Sequence, residues 1–334
     1  MSDTRNKRIA VIGAGSWGTA LVKLLSGTQE RVGWWVRRPD TIAHITKYGH
    51  NPQYISAAQF DVQRLAMDSD IHAVVKNADV LVIAVPSAFL KATMEQLVPE
   101  ELKGKTCFSA VKGIVPETNQ IVGEYFFDHW GVEKKDFGVI CGPCHAEEVA
   151  LERLSYLTIA SQNPASAKAM GHALNGRFMK TTLSDDIYGT EYAAILKNVI
   201  AVCSGISVGL GYGDNFRAVL VSRAIQEIDR FVKAVHPIDR DINEPAYLGD
   251  LLVTAYSTFS RNREFGTMVG KGYSVKAAQM EMNMIAEGYY AVKCVHALNQ
   301  KLGVDMPISE ATYRMLYERI APSIEMRLLS DKLA

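Results

Sequence analysis

The run Ile9-Ala10-Val11-Ile12, followed at once by Gly13-Ala14-Gly15-Ser16-Trp17-Gly18, constrains this chain more than any other stretch. Four consecutive apolar residues suit a strand covered on both faces, and the pattern from Ser16 through Leu25 continues as a helix. Between them three glycines stand at the spacing Gly-x-Gly-x-x-Gly. The spacing alone is common by chance, but here a strand precedes it, a helix follows it, and a second strand ends about twenty residues on. In such a turn the first glycine makes the bend, the second lets a pyrophosphate approach the backbone, and the third packs helix on strand. The pyrophosphate then meets the amides of the helix N-terminus. Gly13, Gly15 and Gly18 are therefore candidate dinucleotide-binding positions.

The first half of the chain repeats that alternation. Candidate strands are Arg8–Ile12, Arg31–Val36, Val80–Val85, Thr106–Ala110, Phe137–Ile140 and Tyr156–Ala160, with amphipathic stretches such as Phe89–Leu97 between them. Nearly all-apolar strands separated by helices predict a parallel sheet covered on both faces. The less regular stretch from Tyr48 to Met67 reads as an insertion with no assigned role. From Ile187 onward strand patterns stop and helical periods cover Asn215–His236, Leu248–Tyr256, Ser274–Leu302 and Ser309–Ile320. Gly205, Gly209, Gly211 and Gly213 are expected to break the first long helix of this half. The expected fold class is an α/β Rossmann-type doubly wound sheet domain over residues 1–187, followed by an all-α domain over 188–334. The first would bind NAD(P) and the second would carry substrate and catalysis.

Lys plus Arg and Asp plus Glu number 36 each. No global field then attracts nucleic acid or an anionic membrane, and any anion must be caught locally. The N-terminal run imitates a secretory signal, but Lys23 interrupts it and the glycine turn explains it. No uninterrupted apolar run of about 18 residues reads as a membrane span. Cysteines at 107, 141, 144, 203 and 294 are odd in number and dispersed, which fits a reducing, cytoplasmic setting. Cys141-Gly142-Pro143-Cys144-His145 resembles three motifs at once: a thioredoxin dithiol, a haem attachment signal and half a zinc site. A thioredoxin dithiol would follow an early strand, haem attachment would need export, and zinc would need a second ligand pair. The residues supply none of these, so no metal is expected. A narrower idea is that oxidation joins Cys141 to Cys144.

Several charged or polar residues stand where helical periodicity has no place for them. Lys197 and Asn198 interrupt Tyr192–Val202, and Asp250 interrupts an apolar run, with Thr254 four residues on. A buried ammonium loses pKa as it loses water and becomes a proton donor and acceptor near neutrality. A lysine reaching out to the surface is the other reading, as an ordinary helix-start aspartate is for Asp250. In Ser260-Arg261-Asn262-Arg263, Ser260 looks like a helix cap while the arginines oppose the macrodipole. A bound anion or a solvated face would each reconcile them. Lys112 follows a strand at the edge where a cofactor would lie. After the second strand, Arg37-Arg38 stands where an NAD-selective site offers a carboxylate. Two guanidinium groups suit a 2′-phosphate, though one could merely stack on adenine.

The ordered motifs G-A-G-S-W-G-T-A, V-K-G, C-G-P-C-H-A-E-E, L-K-N-V-I-A, G-L-G-Y-G-D-N, L-G-D-L, S-R-N-R-E-F-G and A-E-G-Y run from Arg8 to about Ile320. Together they resemble the bacterial NAD(P)-dependent glycerol-3-phosphate dehydrogenases. The resemblance implies hydride transfer between NAD(P)H and C2 of dihydroxyacetone phosphate, giving sn-glycerol 3-phosphate for phospholipid synthesis. It implies Lys197 as the proton-transferring group assisted by Asp250, and Lys112 in contact with both cofactor and substrate. Ser260, Arg261 and Asn262 would grip the phosphate. Ser16, Trp17, Arg37, Ala146, Arg261, Ile285 and Glu287 fall at family cofactor positions, beside Gly13, Gly15, Gly18, Arg38 and Lys112. Gly142 and Cys144 would line the substrate site, where the family usually has Ser or Thr at the second position. The partners expected are the small phosphorylated substrate and a second copy of the chain in a homodimer. A related hydroxyacid dehydrogenase shares the Lys-Asn pair, and a non-catalytic NADPH sensor would share the first domain.

Overall fold

The computed structural model describes residues 7–282 and 286–333. They divide into two compact units, the first holding the chain up to Val111 with Val122–Ile187, the second Lys112–Ile121 with the chain from Tyr188.

The first unit is built on one eight-stranded sheet. Its strands are β1 Ile9–Ile12, β2 Val32–Trp35, β3 Leu65–Asp68, β4 Val80–Ile83, β5 Thr106–Ser109, β6 Phe137–Cys141, β7 Ser155–Ala160 and β8 Met179–Ser184. Their order across the sheet is β3-β2-β1-β4-β5-β6-β7-β8. The helices are α1 Ser16–Thr28, α2 Pro39–Tyr48, α3 Ile71–Lys76, α4 Leu90–Met94, α5 Val122–Trp130, α6 Ala146–Ala150 and α7 Pro164–Leu174. Every residue of β1, β4, β5 and β6 is buried, which explains their unbroken apolar or small-residue sequences. β1 pairs in parallel with β2 on one side and β4 on the other, so the chain order reverses at this point. In an open α/β sheet the crevice at such a reversal is where ligands bind, and the Gly13 turn leaves β1 there.

One pairing departs from the all-parallel expectation: β6 and β7 run antiparallel, with Ile140 opposite Ile159. The intervening α6 has five residues, about 7.5 Å of helix, too short to carry the chain back along a strand of about 16 Å. The chain therefore turns at Gly142 and returns beside β6. The two sheet edges are the other departure. β3, read as part of an insertion, and β8, unmarked by any apolar alternation, are both only partly buried.

The second unit contains helices and, among its described residues, one isolated bridge between Val115 and Gln120. Its helices are α8 Ile187–Gly209, α9 Asp214–Val235, α10 Asp250–Tyr256, α11 Arg261–Gly270, α12 Val275–Glu281, α13 Glu287–Leu302, α14 Pro307–Leu316 and α15 Pro322–Leu333. The span expected as one helix over Ser274–Leu302 is thus two helices; Met282 and Ala286 are both extended. α8 is long and apolar enough to cross a membrane, yet 89% of its most apolar window is buried within the protein, so it reads as a core helix.

Gly205 does not break α8, contrary to expectation; the helix runs on to Gly209. A Cβ on Gly205 would lie 2.1 Å from Arg263 O, and one on Gly266 would lie 2.1 Å from Val202 O. Gly209 and Gly270 repeat this reciprocal contact one turn along. The two helices therefore cross backbone on backbone, with glycine spacing of four on each side. Gly288, in the first turn of α13, presses likewise on Asn198 O.

Candidate active site

In the first unit, Gly13 has φ +122°, and a Cβ there would lie 2.7 Å from Ala84 O, so only glycine fits the turn. A Cβ on Gly18 would lie 2.2 Å from Gly13 O; its absence lets α1 settle onto the turn. A Cβ on Gly15 would meet nothing within 4 Å, so that side of the turn is open within the chain. Gly15 is also the N-cap of α1 and brings no side chain to the first-turn amides. A diphosphate fits this arrangement: an open approach, backbone N–H groups and the positive end of a helix. Ser16 is buried and Trp17 half-buried at the start of α1, while Arg37 and Arg38 are exposed beyond the end of β2. Arg38 is the N-cap of α2.

The turn after β6 places Gly142 at φ +113°, with a Cβ there 3.2 Å from Thr158 N and Tyr156 O. Cys141 and Cys144 flank it, both buried, and all five cysteines are free thiols. Cys144 and Ala146, the first residue of α6, belong to the core cluster of this unit. Among the described residues no three His, Cys, Asp or Glu side chains are grouped to hold a metal ion.

In the second unit the anomalous charges come together. Lys197 Nζ donates to Asp250 Oδ1 at 2.5 Å, and Lys112 Nζ lies 3.7 Å from Asp250 Oδ2. The Lys197 side chain is 5% exposed and that of Asp250 2%, which decides between burial and a surface-reaching lysine. Burial pushes the Lys197 ammonium from 10.5 down to about 7; attraction to Asp250 opposes this and repulsion from Lys112 adds to it. Asn198, the other interruption of α8, donates from Nδ2 to Lys112 O at 2.7 Å and so fixes the backbone that carries the second lysine. Thr254 is buried on the same helix as Asp250, but its Oγ1 donates to the Asp250 backbone oxygen at 2.6 Å rather than to the carboxylate.

Ser260 caps α11, accepting from Arg263 N at 3.3 Å, as the sequence implies. Arg261 is half-buried in the first turn. Asn262 is buried, and its Oδ1 accepts from Gly288 N at 2.9 Å, tying α11 to the first turn of α13. Glu287 opens α13, whereas Ile285 lies outside the described residues. The glycine contacts between α8 and α11 thus fix the segment bearing Lys197 and Asn198 against the segment bearing Ser260, Arg261 and Asn262. This unit thus holds a buried ammonium beside a carboxylate and a second cation, and α11, packed on α8, opens with Arg261.

Two family models match the chain: the NAD-dependent glycerol-3-phosphate dehydrogenase N-terminus over residues 8–167 and its C-terminus over residues 186–327. The chain belongs to the NAD-dependent glycerol-3-phosphate dehydrogenase family. Among its relatives, the glycerol-3-phosphate dehydrogenase [NAD(P)+] of Prosthecochloris aestuarii is 37% identical over 311 residues, 93% of each chain. The enzyme of that name from Chlorobium limicola is 35% identical over the same share of both chains. A solved glycerol-3-phosphate dehydrogenase from Coxiella burnetii is 30% identical and superimposes with a TM-score of 0.91, covering 97% of this chain and 99% of its own.

Asn51 escaped the sequence reading. It is wholly buried, and its Nδ2 donates to Ala14 O at 3.1 Å and to Thr19 Oγ1 at 3.0 Å. Its signal was faint: an Asn-Pro pair that reads as a turn, with partners more than thirty positions away.

Proposed function

We propose that this chain catalyses reversible hydride transfer between NAD(P)H and C2 of dihydroxyacetone phosphate, yielding sn-glycerol 3-phosphate. The observation that carries this reading is the buried Lys197–Asp250 pair, in a chain whose two halves both match the dehydrogenase family. Gly13, Gly15, Gly18, Ser16 and Trp17 would hold the dinucleotide, with Arg37 and Arg38 toward the adenosine end, where they suit a 2′-phosphate. Ala146, Ile285 and Glu287 complete the cofactor set, together with Lys112 and Arg261. The bound nicotinamide supplies the hydrogen and electron pair exchanged with C2.

The chain's own residues handle charge. As C2 is reduced, its oxygen becomes anionic; Lys197 stabilises it and passes one proton from Nζ, leaving a neutral amine and an alcohol. In oxidation the neutral amine takes that proton. Asp250 accepts the hydrogen bond from Nζ and holds the amine in place in both directions. Lys112 keeps the cluster at net +1 while Lys197 is protonated, which favours the phosphorylated substrate. Arg261, Asn262 and Ser260 would grip the substrate phosphate, with Gly142 and Cys144 along the substrate site. Binding energy drawn from the phosphate then holds the reacting carbon in register. Supply of glycerol 3-phosphate to phospholipid synthesis, a cytoplasmic setting and a homodimer belong to the same reading.

Initial rates with dihydroxyacetone phosphate and each reduced nicotinamide test it, with ketopantoate and succinic semialdehyde as competitors. Turnover restricted to dihydroxyacetone phosphate is expected. NADPH binding without turnover of any of the three would instead identify a nucleotide sensor. The same assay reads the titration of Lys197. Since burial lowers its pKa to about 7, the protonated form needed for reduction is lost as pH rises through 7, and the neutral form needed for oxidation is gained. At saturating substrates kcat for reduction should fall above about pH 7 while kcat for oxidation rises there. Parallel profiles in the two directions would remove the lysine from proton transfer.

A further inference from the structure

Each carbonyl of the Gly13–Gly15 turn is taken by a donor inside the first unit. Gly13 O accepts from the indole Nε1 of Trp34 at 3.0 Å, Ala14 O from Asn51 Nδ2 at 3.1 Å, and Gly15 O from Thr19 N at 2.9 Å. The third bond is the first of α1; the other two come from side chains distant in sequence. Trp34 and Asn51 are both wholly buried. Asn51 uses its full hydrogen-bonding capacity: the second Nδ2 hydrogen goes to Thr19 Oγ1 at 3.0 Å, and Oδ1 accepts from Gln53 N at 3.0 Å and Tyr54 N at 3.3 Å. These partners also fix which end of the amide faces the turn.

A glycine-rich turn is soft, and each of its peptide planes can present either the N–H or the C=O to a ligand. A carbonyl facing a pyrophosphate repels it, whereas an amide facing it donates. We propose that Asn51 and Trp34 are positioning residues for the pyrophosphate. By holding the carbonyls of Gly13 and Ala14 inward, they preset the turn with its amides toward the cofactor, so that binding need not reorder it. This rests on the dinucleotide reading above, and it gives the residues following α2 a task in cofactor affinity.

The test compares ligands with and without a pyrophosphate. Binding of NADPH, of ADP-ribose and of adenosine 2′-monophosphate is measured on the full chain for the wild type, Asn51→Ala, Asn51→Asp and Trp34→Phe, with steady-state kinetics and thermal unfolding. Loss of one buried donor is expected to weaken NADPH and ADP-ribose by about tenfold, or 1.4 kcal/mol. Adenosine 2′-monophosphate should bind as before. KM for NADPH should rise with kcat and the KM for dihydroxyacetone phosphate little changed. Trp34→Phe removes its donor without adding charge, so it decides the matter where Asn51→Ala unfolds; Asn51→Asp, which loses the Nδ2 donor but brings a carboxyl group, is read beside it. Equal weakening of all three ligands would mark a merely structural role and overturn the proposal, as would unchanged NADPH affinity in Asn51→Asp and Trp34→Phe. A wild type that binds no dinucleotide would sink the cofactor reading itself, which is a separate outcome.

Discussion

Replacing Lys197 by alanine should lower kcat/KM for dihydroxyacetone phosphate by about a thousandfold, within the range of general acid–base catalysis, while NADPH affinity stays as it was. The size follows from the geometry. Lys197 Nζ sits 2.5 Å from Asp250 Oδ1 in a nearly water-free setting, where an ammonium stabilises a developing alkoxide far better than it would in water. Lys112 is no substitute: it reaches the other carboxylate oxygen at 3.7 Å, and its backbone is held by Asn198. Cofactor affinity should survive because the glycine turn and both arginines beyond β2 belong to the first unit. Two further variants separate charge from proton transfer. Lys197→Met keeps most of the volume and should be as inactive as alanine. Lys197→Arg keeps a cation that does not deprotonate, so oxidation should be lost more fully than reduction. An alanine variant with wild-type rates would end the mechanism.

Gly266→Ala should both destabilise the protein and impair it, although residue 266 touches no substrate in any role assigned above. The added Cβ would lie 2.1 Å from Val202 O, a backbone atom with no flexible end to move aside. Overpacking of this kind costs about 1–3 kcal/mol or more, against about 1 kcal/mol gained from alanine's better helix propensity. A fall in Tm of about 5 °C is expected. Forcing α8 from α11 would also shift Lys197 relative to Arg261, and misplacement of about 1 Å can cost about a hundredfold in rate. Gly27→Ala is the control. It lies within α1, a Cβ there meets nothing within 4 Å, and it should be neutral or slightly stabilising. Unfolding temperatures and kcat/KM for both variants check this; a Gly266→Ala protein matching Gly27→Ala in both would mean the helices are not in contact as described.

How much of this was legible depended on how far each residue's reason lay from it in sequence. β1, β4 and β6 announce themselves because neighbours cover both faces, leaving no polar position to confuse the pattern. β3, with Leu-Ala-Met-Asp, and β8, with Met-Lys-Thr-Thr-Leu-Ser, are half-covered edges and read like loops. Lys197 and Asp250 were visible as charges with no polar face, although 53 positions separate them. Gly205 was misread because a helix interior normally disfavours glycine; the compensating contact comes from Arg263, and only the fold brings it there. Asn51 left almost no trace, because its role consists of hydrogen bonds to residues 14 and 19. The grouping of Lys112–Ile121 with the helical unit was equally hidden; the Lys112 carbonyl accepts from Asn198, 86 positions away.

Under the proposed function, the glycine-to-carbonyl crossing of α8 and α11 bears on which molecules this chain would accept. Side chains at an ordinary helix crossing can change rotamer and let the axes drift; main-chain atoms in direct contact cannot. The main-chain spacing between residues 197 and 261 is therefore a gauge cut into the backbone, from which the two side chains reach. Changes among surrounding side chains can make a molecule of the right length bind more or less tightly, but they leave the gauge itself untouched.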